Sequence, residues 1–173
     1  MAVPVVGALT DATVKEMIGL VKDVYRGSIT VEQFEISFAA AIKDGHLASG
    51  MYGAAGRGNM TQAMWGEAGS RIKAEYEYLH QFATGIADGS ISEAEALRRA
   101  GMYGNDIHGS YADTQRAVAS DSGFTEERRV PTSAKPCDGC EAEATKGWQP
   151  IGMLKEIGAT ECGSNCGCGF EFR

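Results

Sequence analysis

The sequence lacks the features that mark several large classes of protein. It has no cysteine before position 137, only four prolines in 173 residues, and 8% aromatic residues. No stretch reaches the ~18–20 apolar residues of a membrane span, and the start has no basic segment typical of a secretory signal. Because five cysteines is also an odd number, a disulfide framework is not expected. These absences predict a protein without a membrane segment that is made in a reducing host cytoplasm.

Positive charge is also scarce. The net charge is −7, and residues 126–173 carry six Lys and Arg against eight Asp and Glu. Proteins that bind the nucleic-acid backbone need clustered basic residues to neutralise phosphates. A role in binding nucleic acid is therefore not expected from the composition.

Recognisable catalytic patterns are missing as well. His46, His80 and His108 lie in separate predicted elements, and none is part of a His-Glu-x-x-His or His-x-Glu pattern. The glycine-rich run 50–59 is not followed by the Lys-Ser/Thr of a phosphate-binding loop. We expect each histidine to be exposed or locally hydrogen-bonded, and we do not expect an enzyme.

Apolar residues at helical spacing predict a mainly α body over residues 1–124. Capping boxes at Thr30/Gln33 and Ser92/Glu95 mark two helix starts, Asp44-Gly45 is expected to end one helix, and run 50–59 is expected to be a loop. The predicted helices cover about 11–25, 30–43, 60–86, 93–103 and 107–120.

A charged, proline-bounded segment follows the helices. Residues 125–136 are predicted to be a linker. All five cysteines lie beyond it, in a module over 137–173 that ends in a short alternating strand at 169–173. A module this small buries little apolar surface, so it needs a metal, a disulfide or a partner for stability.

The cysteine spacing predicts a structural Zn2+ site. Cys137-x2-Cys140 is a typical half-site, and the other half comes from Cys162 with Cys166, or with Cys168 as the alternative fourth ligand. Spacing alone does not choose between these two, although Cys166 is slightly favoured. Trp148 and Pro150 are predicted to pack against the metal as its apolar core. A redox pair at Cys137 and Cys140 is the competing interpretation, but such pairs usually begin a helix that follows a strand, and the sequence shows no such context.

The tail resembles the C-terminal segment of tailed-bacteriophage head and minor structural proteins, including the Mu-type head-morphogenesis group. The resemblance is specific over residues 126–173, and a weaker part begins near residue 60 and includes Arg99-Ala100-Gly101-Met102-Tyr103. In one departure, Cys166-Gly167-Cys168 stands where the family often has Cys-Arg-Cys. The matching positions are Cys137, Cys140, Gly147, Trp148, Pro150, Leu154, Gly158, Cys162, Cys166 and Cys168.

The resemblance implies a structural component of a phage virion, placed in the head, at the portal-neck or on the capsid. Its partners would be capsid or portal proteins in a symmetric assembly of many copies. The alternative is a zinc-ribbon module that binds nucleic acid, for which the sequence offers no basic face. A thiol redox protein is the third hypothesis.

Overall fold

The computed structural model describes residues 3–132 and 135–173, with side chains described from Val6 onward. It confirms a mainly helical protein with a small C-terminal region of short strands. No described helix is long and apolar enough to cross a membrane. The helices are α1 Val3–Tyr25, α2 Val31–Gly53, α3 Gln62–Ala87, α4 Glu93–Asp121 and α5 Asp138–Thr145, and the strands are β1 Glu126–Val130, β2 Gln149–Pro150 and β3 Gly169–Phe172.

Local sequence signals set the starts of α2 and α4. The Thr30 hydroxyl accepts a hydrogen bond from the Gln33 amide at 3.1 Å, and the Gln33 side chain accepts from the Thr30 amide at 2.9 Å, which confirms the predicted capping box. The Ser92 hydroxyl likewise accepts from the Glu95 amide at 3.3 Å. The Glu95 carboxylate instead pairs with the arginines one turn ahead, so this cap is formed from one side.

The predicted helix end at Asp44-Gly45 is wrong, because α2 continues to Gly53. Gly45 is buried within the helix, and a Cβ atom there would lie 3.0 Å from Ile107 Cγ2 and 3.1 Å from Thr13 Cγ2. This glycine therefore permits close packing of three helices rather than a turn. The predicted loop over 50–59 is also partly wrong, since its first four residues are helical and a short 3-10 turn forms at Arg57–Asn59.

The two helices predicted over 93–103 and 107–120 form the single helix α4. Gly104, near its middle, faces α1 so closely that a Cβ atom would lie 2.7 Å from Val14 Cγ2 and 2.8 Å from Val14 Cα. The glycine lowers the helix propensity of α4 at this position, but it allows the backbones of α1 and α4 to approach each other closely.

Aromatic rings fill the centre of the helical body. Phe34 and Phe38 of α2 contact Phe82 of α3 edge-on, with ring centroids 5.7 Å apart in both pairs. Tyr103 of α4 lies 5.3 Å from Phe38. The three phenylalanines are fully or almost fully buried, which is the packing that holds α2, α3 and α4 together.

The segment predicted as a linker, 125–136, contains the central strand of the sheet instead. β1 pairs antiparallel with β2 on one side and with β3 on the other. The charged residues of β1 led to the linker prediction, because charged side chains are usually exposed. In the structure, however, Glu127 and Arg129 point inward and are almost fully buried. Buried charges are tolerated when they are paired and hydrogen-bonded. Glu127 has such a partner in Arg116 of α4, whereas Arg129 donates to two backbone carbonyls and lies over the Phe170 ring.

A buried ion pair joins this sheet to the helical body. Arg116 of α4 donates two hydrogen bonds to the Glu127 carboxylate, both at 2.7 Å. The same guanidinium donates to the Leu154 carbonyl at 2.8 Å and covers the Phe170 ring at 3.9 Å. The C-terminal module is thus anchored directly on α4.

Candidate metal centre

Three short segments bring the five cysteines to one place. Cys137 is the N-cap residue of α5 and Cys140 lies in its first turn. Cys162 precedes the 3-10 turn Gly163–Asn165, and Cys166 follows it. Cys168 comes next, directly before β3. The tail folds back over α5, so residues separated by about twenty positions share one centre.

The sulfur atoms form two triplets that share Cys140. One contains Cys137, Cys140 and Cys162, the other contains Cys140, Cys166 and Cys168, and within each the sulfurs lie within 4.8 Å of one another. Cys140 Sγ is 3.7 Å from Cys162 Sγ and 3.6 Å from Cys166 Sγ. Two thiolates on a tetrahedral zinc with bonds of about 2.3 Å stand about 3.8 Å apart. All five thiols are free, and each of these two distances from Cys140 fits a pair of thiolates bound to the same metal ion.

The Thr160 hydroxyl is a second feature of the centre, and sequence reasoning missed it. Thr160 Oγ1 lies 3.2 Å from the sulfurs of both Cys140 and Cys162, and 3.6 Å from that of Cys137. Its only signal in the sequence is its position two residues before Cys162. A hydroxyl at this place can donate to a thiolate and orient a metal ligand.

The thiols differ in how easily they ionise. The Thr160 hydroxyl, together with nearby backbone amides, lowers the pKa of Cys137 to about 7. Burial raises the pKa of Cys140 and of Cys162 to about 12. Despite burial, hydrogen bonds from two backbone amides lower the pKa of Cys166. Without a cation, the thiolate forms of Cys140 and Cys162 are therefore disfavoured, and a divalent metal would supply the charge that ionises them.

The structure does not separate Cys166 from Cys168 as the fourth ligand. The backbone at Cys166 is extended, so the two side chains point to the same side. Both cysteines are buried, while Gly167 between them is exposed. The preference for Cys166 stays a prediction.

The centre lies against the helical body rather than in open solvent. Ala112 of α4 packs beside the cysteines, together with Ile157 and Phe170. His108 Nε2 donates to the Cys168 carbonyl at 2.8 Å, and Asn105 donates to the side chain of Asn165 at 2.7 Å. These contacts fix the cysteine loops on one face of α4.

Trp148 does not form the apolar core of the centre, contrary to the prediction. Its ring lies between the guanidinium groups of Arg128 and Arg173, at 4.9 Å and 4.6 Å from the ring centroid. Pro150 belongs to β2, where it pairs with Glu126. The apolar neighbours of the cysteines come instead from α4 and from the loops around Ile157, because the sheet and not the metal site covers the tryptophan.

One further expectation is corrected by the structure. Cys137 does begin a helix, α5, and β1 precedes it, so the strand-helix context of a redox pair exists here. Of the two environments expected for the histidines, exposed or locally hydrogen-bonded, His46 has the second: it is fully buried inside the helical body, and its Nδ1 lies 2.7 Å from the Ser110 hydroxyl. His80 is exposed and pairs with Glu35 at 3.1 Å, as expected.

No family model matches the chain, and no curated protein or solved structure is detectably similar to it.

Proposed function

We propose that this chain is a structural component of a tailed-phage particle, in the head, at the portal-neck or associated with the capsid. The observation that carries the proposal is that the residues of the tail motif gather into one folded unit. Gly147 and Gly158 adopt positive φ angles of 67° and 93°, Leu154 is buried, and the cysteines converge. Motif positions that serve the fold of the module support a structural role for that module.

Within this proposal, Zn2+ is the metal and its role is structural. Cys137, Cys140, Cys162 and Cys166 are the proposed ligands, with Cys168 as the alternative to Cys166. Four thiolates complete a tetrahedral zinc and leave no position for a substrate. Zinc binding would then contribute to the stability of the module.

Assembly needs surfaces for protein contacts, and the helical body offers exposed apolar side chains. Tyr78 of α3 is 65% exposed and Ile36 of α2 is 64% exposed. In the module, Met153 is 70% exposed. We propose that such surfaces contact capsid or portal subunits, with the zinc module fixing the shape of one of them, in a symmetric assembly of many copies.

The nucleic-acid alternative has weaker support. The two arginines beside Trp148 are the best candidates for a basic face, but Arg128 pairs with Glu171 and Arg173 pairs with Glu126. Their charges are therefore already compensated. A gel-shift or anisotropy assay that found salt-dependent binding to DNA or RNA would favour this alternative.

A thiol redox function is the second candidate, and one observation favours it: Cys137, with a pKa lowered to about 7, caps a helix three residues before Cys140. Elemental analysis with thiol counting separates the two. About one zinc per chain with one reactive thiol supports the structural site, whereas a metal-free protein that forms a reversible Cys137–Cys140 disulfide supports redox chemistry.

The phage proposal itself is tested on particles. Virions purified by density gradient from a lysate in which the chain is expressed should contain it at a fixed ratio to the major capsid protein, measured by quantitative mass spectrometry. A host protein of similar abundance is the control for contamination. If gradient-purified particles contained no more of this chain than of the control, the proposed function would be wrong.

A further inference from the structure

Away from the cysteines, three helices bring together a histidine and two carboxylates. His46 comes from α2, Glu75 from α3 and Asp106 from α4, and one ligand atom from each lies within 4.8 Å of the others. The His46 side chain is 0% exposed and that of Glu75 is 11% exposed. Metal sites in helical bundles are built in this way, from inward-facing side chains on neighbouring helices.

Two atoms of this cluster face each other without a satisfactory hydrogen bond. His46 Nε2 and Glu75 Oε2 are 3.2 Å apart, and both are buried atoms without a hydrogen-bond partner among the described residues. Such atoms are rare, because leaving a buried polar group unpaired is energetically unfavourable. Something that interacts with both atoms at once would remove this cost.

The other nitrogen of the ring explains which atom is available. His46 Nδ1 lies 2.7 Å from the Ser110 hydroxyl, and in one of the two ring tautomers Nδ1 donates a hydrogen bond to that hydroxyl. In that tautomer Nε2 carries a lone pair on the side of the carboxylate oxygen, 3.2 Å away, and a metal cation can bind both atoms. Histidines that bind metals usually donate their second ring nitrogen in this manner.

The distances suit a metal. With bonds of about 2.1 Å from nitrogen and from oxygen, a separation of 3.2 Å corresponds to an angle of about 100° at the metal, between the octahedral and tetrahedral values. One imidazole with two carboxylates is a donor set for Mn2+, Fe2+, Co2+ or Zn2+, whereas Ca2+ and Mg2+ prefer oxygen ligands alone.

An arginine beside the cluster does not replace such an ion. Arg71 Nε donates to Asp113 at 2.6 Å, while its Nη1 stays 3.7 Å from Asp106 Oδ2. Its Nη2 pairs with Glu156 at 3.4 Å. The guanidinium is thus held mainly by Asp113 and more loosely by Asp106.

A cleft opens onto the carboxylates. Its volume is about 490 Å3, and Glu75 and Asp106 form part of its wall together with Tyr103 and Ser164. Three arginines also line the cleft: Arg71, Arg98 and Arg99. The Ser164 hydroxyl is buried and has no partner among the described residues. An ion at the cluster would therefore have coordination positions that water or a small ligand in the cleft could occupy.

We propose that His46, Glu75 and Asp106 form a second metal site, which binds a divalent first-row transition ion and has open positions toward the cleft. The site is independent of the thiol centre and of the proposed phage function. It differs from the thiol centre in chemistry, because its ligands are nitrogen and oxygen and its coordination is incomplete.

Manganese is the probe that tests this site. The full-length protein is first loaded with zinc at the thiols and freed of excess metal, and Mn2+ is then titrated by calorimetry. Because Mn2+ is the weakest competitor for thiolates among these ions, it leaves the cysteines occupied. We expect about one Mn2+ per chain, and an affinity about tenfold weaker or worse in the variants Glu75→Gln and Asp106→Asn.

Glu77→Gln is the matched control, since Glu77 lies on the same helix but is exposed. It should bind Mn2+ like the unmodified protein, and the zinc content of every variant should be unchanged. Co2+ added to the zinc-loaded protein should give the weak visible bands of nitrogen and oxygen ligation, without an intense sulfur charge-transfer band. The proposal is wrong if the folded protein shows no saturable Mn2+ binding, or if all three variants bind it equally well.

Discussion

The ion pair between Arg116 and Glu127 offers the sharpest test of how the C-terminal module is attached. Glu127 is 0% exposed and Arg116 is 11% exposed, and they are joined by two hydrogen bonds of 2.7 Å. The Glu127 carboxylate also accepts the amides of Gly152 and Leu154, at 3.1 Å and 3.3 Å. The change Glu127→Gln removes the charge and keeps one acceptor oxygen.

The magnitude follows from the burial. Removing one member of a buried ion pair costs about 3–5 kcal/mol, because the remaining charge is left uncompensated. The retained amide oxygen should keep the loss near the lower end, at about 3 kcal/mol. For a chain of this size, that loss lowers Tm by about 6–12 °C.

Glu126→Gln provides the comparison on the neighbouring residue. Glu126 pairs with Arg173 at 2.6 Å, but the two side chains are 36% and 57% exposed, and such pairs contribute about 0–1 kcal/mol. Urea and thermal unfolding of both variants, each with its zinc content verified, give the two unfolding free energies. If the unfolding free energies of Glu127→Gln and Glu126→Gln differed by less than about 1 kcal/mol, the reasoning about this buried pair would be refuted.

Three further outcomes are expected. If zinc occupies the thiol centre as proposed, removing it with a chelator should expose all five thiols to alkylation. The far-UV circular dichroism should change little, because the buried core of α1–α4 contains no cysteine; loss of most helical signal would contradict this. In the metal-free protein, peptide mapping should find Cys137 alkylated first near neutral pH, with a rate that rises as pH passes about 7, and an equal rate at all five thiols would show that its pKa is not lowered. Gly104→Ala should destabilise the protein by about 1–2 kcal/mol in urea unfolding, because overpacking against the Val14 backbone outweighs the gain in helix propensity. Gly101→Ala lies on the same helix and has no atom within 4 Å of the added Cβ. This control variant should stabilise the protein by about 0.5–1 kcal/mol.

Short-range signals in the sequence carried much of the fold. The cap at Thr30 depends on residues three positions apart, and Gly89 ends α3 with a φ of 73°, so both could be predicted without tertiary contacts. The clustering of all cysteines after position 136 likewise predicted a candidate metal centre. Each of these features has its cause within a few residues of chain.

Glycines and buried charges had to be read from the tertiary structure. A glycine can end a helix in a turn, or it can allow two packed helices to approach closely. The sequence does not distinguish these two roles, but the neighbouring residue in the structure does: Ile107 lies against Gly45, and Val14 lies against Gly104. The charged residues of β1 resemble a linker in the sequence. Their place in a buried strand becomes clear only in the structure, where Arg116 of α4 donates a hydrogen bond to Glu127.

The two candidate metal sites differ in the same way, because the sequence predicts one of them and only the tertiary structure shows the other. The spacing of the cysteines in the sequence predicts a metal centre, because a metal site in a small module needs ligands that lie close together in the chain. His46, Glu75 and Asp106 have no such spacing, because three helices carry them and only the packing of those helices brings their polar atoms within 4.8 Å. The candidate metal ligands near the C-terminus can therefore be predicted from the sequence alone, whereas the second cluster, and the surface on which the module sits, depend on how the helices pack.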